Sequence, residues 1–248
     1  MTLTAFPPAP QRPPEERERK RQWRAMRGIR SYLDLIDRGP EYECPVCRYV
    51  GRFAPVREQP GLSCPACDSR PRHRLMRLWM ERELVLEPDM RVLHFAAEPA
   101  LSALIRPRVV HYHTADVEPG ADLQLDMTAL DLPDASLDLI IANHVLEHLD
   151  DRAALAELHR VLAPDGLVVL TVPLVDGWEH TYEDPALTPE QRQLRYTDSL
   201  HLRLYGRDFP DRIAEAGFLV SDFTAVEPDV SRFGLKRGER VFIGQKPA

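Results

Sequence analysis

From Asp134 to Pro173 the chain reads DASLDLIIANHVLEHLDDRAALAELHRVLAPDGLVVLTVP, and few folds accommodate such a segment. Leu137 to Ala142 is apolar apart from Asp138, the composition of a strand buried on both faces. Asn143-His144 breaks the run where such a strand would end. Asp150 or Asp151 can cap the helix that follows, whose Leu155, Leu158 and Leu162 recur along one face. Pro164-Asp165-Gly166 is a stop signal, and Leu167 to Val172 is a second buried strand. A crossover of this length between two apolar strands predicts a right-handed βαβ unit in a parallel sheet. Ligands of such sheets sit beyond the carboxyl ends of the strands. Asn143, His144 and the segment after Pro173 should therefore face a pocket.

The same alternation extends in both directions. Strands are predicted at 91–95, 109–115, 122–126, 218–225 and 240–246, with helices at 71–86, 99–105, 151–162 and 207–216 and a loop-rich insert at 174–206. The pattern is α/β and doubly wound. At 248 residues and 44% hydrophobic content the chain can hold one large domain and a small accessory module. Residues 1–14 read as a disordered Pro-rich lead-in, 15–39 as a basic amphipathic helix striped by Trp23, Met26, Ile29, Leu33 and Ile36, 40–70 as a four-cysteine module, and 71–248 as the main domain. No run of about 18 apolar residues suggests a membrane span, and the amino terminus lacks a signal peptide's apolar segment, so a cytoplasmic location is expected. Charge is uneven: residues 1–80 carry 16 basic and 9 acidic side chains, whereas the remainder carries 16 and 30. The basic part is either a polyanion-binding arm or a face solvated or docked on the chain's own acidic domain.

All four cysteines lie in one pattern, Cys44-x2-Cys47-x16-Cys64-x2-Cys67. Two such knuckles present four thiolates to one ion, the tetrahedral set that zinc prefers. A disulfide framework would require an oxidising compartment, and a redox CxxC would not need two matched pairs. With every position filled by protein, the expected role of the zinc is structural. A module this small depends on the metal for folding. Arg48 and Asp68 follow the second cysteine of each knuckle, where zinc ribbons usually carry a glycine for positive φ.

The 134–173 segment, together with the strands around it, resembles the fourth and fifth strands of class I S-adenosylmethionine (SAM) methyltransferases of type 11. These read FDxVxxxxVLEHxxD…ALxExxRVLxPGGxLxLxxP. The resemblance covers residues 40 to 246 and implies a Rossmann-like seven-stranded methyltransferase sheet with a small N-terminal zinc-ribbon module. It is strongest at 134–173 and weakest at the first turn, where Val92-Leu93-His94-Phe95-Ala96-Ala97-Glu98 has His94 in place of the usual acid and no glycine. That stretch is similar to a subgroup reading VLHFAPE. By this resemblance Ala96 allows backbone approach to the cofactor, and Glu98 either accepts from the SAM ammonium or caps the helix at Pro99. Asp116 holds the ribose hydroxyls, Asp126 and Met127 meet the adenine, and Asn143 lies near the methionine portion.

Transfer to a hydroxyl or amine acceptor also calls for a base titrating near neutral pH. His144 is the best-placed candidate and His201, within the insert, is the second; His148 is expected to brace its helix. Glu183, Asp184 and Arg203 are candidates for acceptor recognition through the subgroup's similar wording. His111 and His113 alternate on a strand and read as ordinary strand residues. The favoured reading is SAM-dependent methyl transfer to a small-molecule or sugar-containing acceptor. The alternatives are an RNA methyltransferase using the zinc module and basic helix, and a non-catalytic binding protein on the same fold.

Overall fold

The computed structural model describes residues 11–27, 40–56 and 59–248. The expected lead-in lies mostly outside the described residues, as do Ile29, Leu33 and Ile36 of the helical stripe. Two compact units are present. The first combines the described residues through Val85 with Glu98–Arg108 and Thr224–Arg240; the second comprises Leu86–Ala97, Val109–Phe223 and Val241–Ala248.

In the first unit α1 (Pro14–Arg27) precedes two hairpins, β1 (Glu41–Glu43) with β2 (Val50–Arg52) and β3 (Ala54–Val56) with β4 (Gln59–Ser63). The first cysteine knuckle joins β1 to β2, and the second follows β4. α2 (Pro71–Arg82) follows, with Pro71 in its first turn and nearly every residue buried. Arg70 N–H donates to His73 Nδ1 (3.2 Å), so His73 carries its proton on Nε2 and donates it to Glu98 Oε1 (3.2 Å). Arg72 Nε also reaches Glu98 (3.4 Å). The unit is completed by α3 (Pro99–Ile105) and by α7 (Asp229–Phe233), which is preceded by a cis Glu227–Pro228 bond.

Arg74 is the polar centre of this unit. Its guanidinium is fully buried, donates to the carbonyls of Leu62, Ser69, Phe233 and Gly234, and lies 4.5 Å from the Phe53 ring centroid. A buried cation needs its donors satisfied, and these four acceptors supply that. Trp23, expected on a packed stripe, is half exposed.

The second unit is built on a seven-stranded sheet. Its strands are β5 (Arg91–Phe95), β6 (His111–Asp116), β7 (Leu123–Gln124), β8 (Leu137–Asn143), β9 (Leu162–Thr171), β12 (Leu219–Thr224) and β13 (Arg240–Gln245), in the order β12-β13-β9-β8-β5-β6-β7. The pairs β9-β8, β8-β5, β5-β6 and β6-β7 are parallel, and β13 runs antiparallel to β9. This is the Rossmann-like methyltransferase arrangement that the sequence implies. Asp150 is the residue that caps α4 (Asp151–Val161), accepting from Arg152 N (3.1 Å) and Ala153 N (3.2 Å). α4 buries Leu155, Leu158 and Val161 completely in a core with Leu93, Ile140 and Val168, each such side chain contributing about 2 kcal/mol.

One boundary differs from the sequence reading. β9 begins at Leu162, directly after α4, and Pro164-Asp165-Gly166 is an irregularity inside it rather than a separate turn. Asp165 takes a positive φ of 61° and its N–H donates to Lys246 O, while Lys246 N–H donates to Gly166 O. Pairing with the carboxyl-terminal segment thus turns a stop signal into part of the ladder. The lone acid of β8 is explained as well. Asp138 receives Arg91 N, Nε and Nη2 at 2.8, 2.9 and 2.6 Å, fastening the starts of two central strands.

The insert between β9 and β12 returns through the hairpin of β10 (Tyr182–Glu183) and β11 (Arg203–Leu204), with α5 (Pro189–Tyr196) between them and α6 (Phe209–Glu215) after. Among the described residues no helix is long and apolar enough to cross a membrane.

Candidate functional site

The carboxyl edge of the sheet collects most of the residues singled out from sequence. β5 ends at Phe95, and Ala96 follows at φ 44°, its N–H donating to Ala115 O (2.9 Å). The left-handed conformation is the one a glycine normally supplies, and alanine bears a cost of about 1 kcal/mol to hold it. The turn therefore keeps the backbone shape of a glycine turn without the glycine. Ala96, Ala97, Thr114, Asp116 and Gly120 line a cleft of about 380 Å³. Asp116 is half buried there, with one oxygen accepting from Glu118 N–H (3.1 Å).

His94, standing where the methyltransferases that the sequence resembles usually have an acid, is fully buried and bonds Tyr112 Oη through Nδ1 (2.8 Å). Its substitution thus serves the packing of β5 on β6. Glu98 belongs to the first unit; it is the N-cap residue of α3 but makes no side-chain cap bond, its carboxylate being held by His73 and Arg72. Asp126 is exposed, and Oδ1 accepts from Thr128 N (2.8 Å) and Thr128 Oγ1 (2.7 Å); these bonds hold its pKa below the usual carboxylate value. The Met127 side chain is in the core. Asn143 closes β8, buried, and accepts from Thr171 Oγ1 (3.0 Å).

Immediately beyond β8 the chain makes a tight polar corner. His144 adopts φ 54°, a conformation that histidine tolerates better than most residues, and its N–H donates to Thr171 O (2.7 Å). A 3₁₀ turn, Leu146–His148, follows. His144 Nδ1 lies 3.2 Å from Glu147 Oε1, and Glu147 is completely buried. The insert brings His201 to this corner, because Leu202 N–H donates to Glu147 O (2.7 Å). His148 and His201 stack edge to face, ring centroids 4.8 Å apart. One ligand atom from each of Glu147, His148 and His201 falls within 4.8 Å of the others. Burial lowers the pKa of His201.

Sequence reading therefore found His144 and His201 but passed over Glu147, the acid beside both. A charged residue inside the apolar run Val145-Leu146-Glu147-His148-Leu149 was the available signal. Glu183 and Arg203, expected to recognise an acceptor, are spent on each other: they pair across the β10–β11 hairpin, with Arg203 Nε on Glu183 Oε2 (2.7 Å). Arg203 also donates to Leu146 O (2.9 Å) and Leu149 O (2.6 Å), bracing the 3₁₀ turn from beneath. Asp151, buried, accepts from Tyr205 Oη and Arg212 Nη1, both at 3.0 Å, and secures the same turn's far end. Asp184 accepts from Ala186 N–H in its own turn. His111 and His113 are exposed strand residues, as read.

The four cysteines converge within the first unit. Cys44 and Cys67 Sγ are 3.7 Å apart, as are Cys47 and Cys64 Sγ. Zinc–sulfur bonds of 2.3 Å directed tetrahedrally place sulfurs about 3.8 Å apart, so the donor set fits one zinc ion and is far too open for a disulfide. The knuckles are near copies: Arg48 N–H donates to Cys44 O and Asp68 N–H to Cys64 O, both at 2.8 Å. Arg48 and Asp68 take φ of 64° and 66°, as the glycine position of a ribbon requires. Asp68 repays that strain, since its carboxylate accepts from Ser63 Oγ (2.6 Å) and from Lys20 and Arg24 of α1. Burial opposes ionisation of Asp68, yet Lys20, Ser63 and Arg24 hold its pKa below the usual value.

Comparison with known proteins agrees with this geometry. The family described as "Methyltransferase domain" matches residues 88–170, about a third of the chain. A "Probable S-adenosylmethionine-dependent methyltransferase" of Mycolicibacterium smegmatis is 33% identical over 92 residues, covering 37% of this chain and 33% of that protein. An uncharacterized 37.1 kDa protein in transposon TN4556 of Streptomyces fradiae is 30% identical over 139 residues, covering 54% and 38%. The chain thus spans little more than a third of the length of these curated relatives. Among solved structures, the YcgJ protein of Bacillus subtilis superposes with a TM-score of 0.50 at 17% identity, over 71% of this chain and 99% of that one. A chain of the complex between the Haloferax volcanii Trm112 methyltransferase activator and a methyltransferase gives 0.52 at 18%, over 71% and 91%. The structural likenesses show the fold. The family match and the Mycolicibacterium relative support a class I SAM-dependent methyltransferase domain.

Proposed function

We propose that the chain is a SAM-dependent methyltransferase acting on a small-molecule or sugar-containing acceptor, with a structural zinc ion held by Cys44, Cys47, Cys64 and Cys67. The observation that carries the reading is the turn after β5. Ala96 holds a glycine-like conformation beside Asp116 at the mouth of one cleft, at the edge where a doubly wound sheet binds its ligand. In this reading Ala96 exposes its backbone to the amino acid portion of SAM and Asp116 accepts from the ribose hydroxyls. Asp126 and Met127 flank the adenine, and Asn143 stands by the methionine portion.

SAM supplies an electrophilic methyl group, so the chain's contribution is to position the acceptor, exclude water and remove a proton. His144 is suited to the last task. With Nδ1–H donated to Glu147, its Nε2 is left as a proton acceptor, on a side chain one-third exposed. His201, whose pKa burial lowers, is the second candidate base. The RNA alternative loses ground because Lys20 and Arg24 are engaged by Asp68 rather than presented to phosphates.

Calorimetric titration of the full chain with SAM and S-adenosylhomocysteine tests the reading. Saturable one-to-one binding of either is expected. Failure of both to bind at millimolar concentration removes the enzyme reading and leaves a binding protein on a methyltransferase fold.

A further inference from the structure

The corner beyond β8 holds polar atoms that the proposed base roles of His144 and His201 do not account for. Glu147 is completely buried, one carboxylate oxygen is taken by His144 Nδ1, and the other, Oε2, has no hydrogen-bond partner among the described residues. His201 Nδ1 is likewise buried, with no hydrogen-bond partner among the described residues. Buried polar atoms are almost always satisfied, and two unsatisfied ones within one side-chain cluster call for a partner. His148 completes the group, its ring against His201.

We propose that Glu147, His148 and His201 form a metal site distinct from the cysteine cluster, binding one divalent first-row transition ion whose open positions take an oxygen atom of the acceptor. The donor chemistry fits. One carboxylate and two imidazoles suit zinc, manganese, iron or cobalt, and three protein ligands leave coordination positions free. Bonds of about 2.1 Å allow two donors on one ion to be at most about 4.2 Å apart, so donors already within 4.8 Å need only small side-chain rotations to close on it.

The supporting frame is in place. His144 fixes the Glu147 carboxyl through one oxygen, as outer partners of metal ligands do. Arg203 clamps both ends of the 3₁₀ turn through the Leu146 and Leu149 carbonyls, and Leu202 N–H ties the His201 segment to Glu147 O. His148 is exposed and His144 partly so, which leaves the ion open to solvent on one side. The corner follows β8, whose neighbour β5 leads into the Ala96 cleft, so the ion would stand at the edge where the acceptor enters. The acceptor part of this proposal rests on the methyl-transfer reading; the ion itself does not.

The test uses the full chain with its cysteine site filled by zinc. Manganese(II) is titrated in, bound ion is followed by electron paramagnetic resonance, and open positions by water-proton relaxation. One equivalent of manganese with enhanced relaxation is expected, and His148→Ala and His201→Ala should each weaken it at least about tenfold without changing the melting temperature by much. If the purified protein carries two zinc ions per chain, falling to one in His148→Ala, the same conclusion is reached with the site already filled. His148 is exposed, so its variant keeps the test valid even if Glu147→Gln fails to fold. A folded protein with one zinc and no manganese binding at millimolar concentration overturns the site, as does binding that His148→Ala leaves unchanged. S-adenosylhomocysteine titration of the same samples separates the two readings. Cofactor binding without manganese refutes the ion alone, and manganese without cofactor binding refutes methyl transfer and the acceptor's place on the ion.

Discussion

Asp116→Asn is the substitution that tests the cofactor edge most directly. The carboxylate stands at the end of β6, half buried, in the cleft that Ala96 also lines. One oxygen already accepts from Glu118 N–H, and an asparagine carbonyl can keep that bond, so the turn should survive the change. What is lost is the charge on the acceptor proposed to face the ribose hydroxyls. Hydrogen bonds to a charged group contribute about 1.5–3 kcal/mol, whereas neutral ones contribute about 1. Asparagine should therefore weaken S-adenosylhomocysteine binding by roughly tenfold, since 1.4 kcal/mol is one decade. Asp116→Ala, which removes both oxygens and the turn bond, should cost about 10- to 150-fold. Calorimetry supplies both constants, and thermal melting confirms that the fold is intact. Two folded variants with the affinity of the parent would refute the placement of the cofactor on β6.

Three further outcomes are expected. The proposed structural zinc ion predicts that a chelator unfolds the four-cysteine module, because such an ion contributes on the order of 10 kcal/mol to so small a unit; full protection from proteolysis in zinc-free protein would exclude that role. Arg74→Met should destabilise the first unit by about 3–5 kcal/mol in denaturant titration, since it strands four buried carbonyls and removes the ring stack on Phe53; a loss below 1 kcal/mol would show that water replaces the guanidinium. Arg91 holds Asp138 below its ordinary pKa, so the pair stabilises the fold above the unfolded value near pH 4, and that contribution, about 1 kcal/mol or less for a partly exposed pair, fades as pH falls through the lower folded pKa. Asp138→Asn should flatten this acid-side slope in pH-dependent melting, and a slope equal to the parent's would assign it to other carboxyls.

Much of the sheet was legible because its signals are local. Apolar runs such as Leu139 to Ala142 leave a chain little choice but a strand buried on both faces, and the observed strands fall within two residues of the predicted ends for β5, β6, β8, β12 and β13. β9 escaped because its start depends on a partner far along the chain: Lys246 supplies the bonds that make Asp165 and Gly166 part of a ladder. The first turn was misleading for a related reason. The sequence lacks a glycine there, yet the fold imposes the glycine conformation on Ala96, an outcome no local propensity encodes.

By itself the sequence determined the order of strands and helices, the four-thiolate pattern with its positive-φ positions at Arg48 and Asp68, and the sheet edge at which the candidate residues gather. These follow from periodicity and spacing, which act over a few residues. Only tertiary structure decided what each polar group does. It committed Arg203 to Glu183 and the 3₁₀ turn, Glu98 to His73, and His94 to Tyr112. It also set Glu147 between His144 and His201, although His201 lies more than fifty residues away in sequence. Electrostatic and hydrogen-bond partnerships depend on distance in space, and that distance is fixed by the packing of the insert against the end of β8.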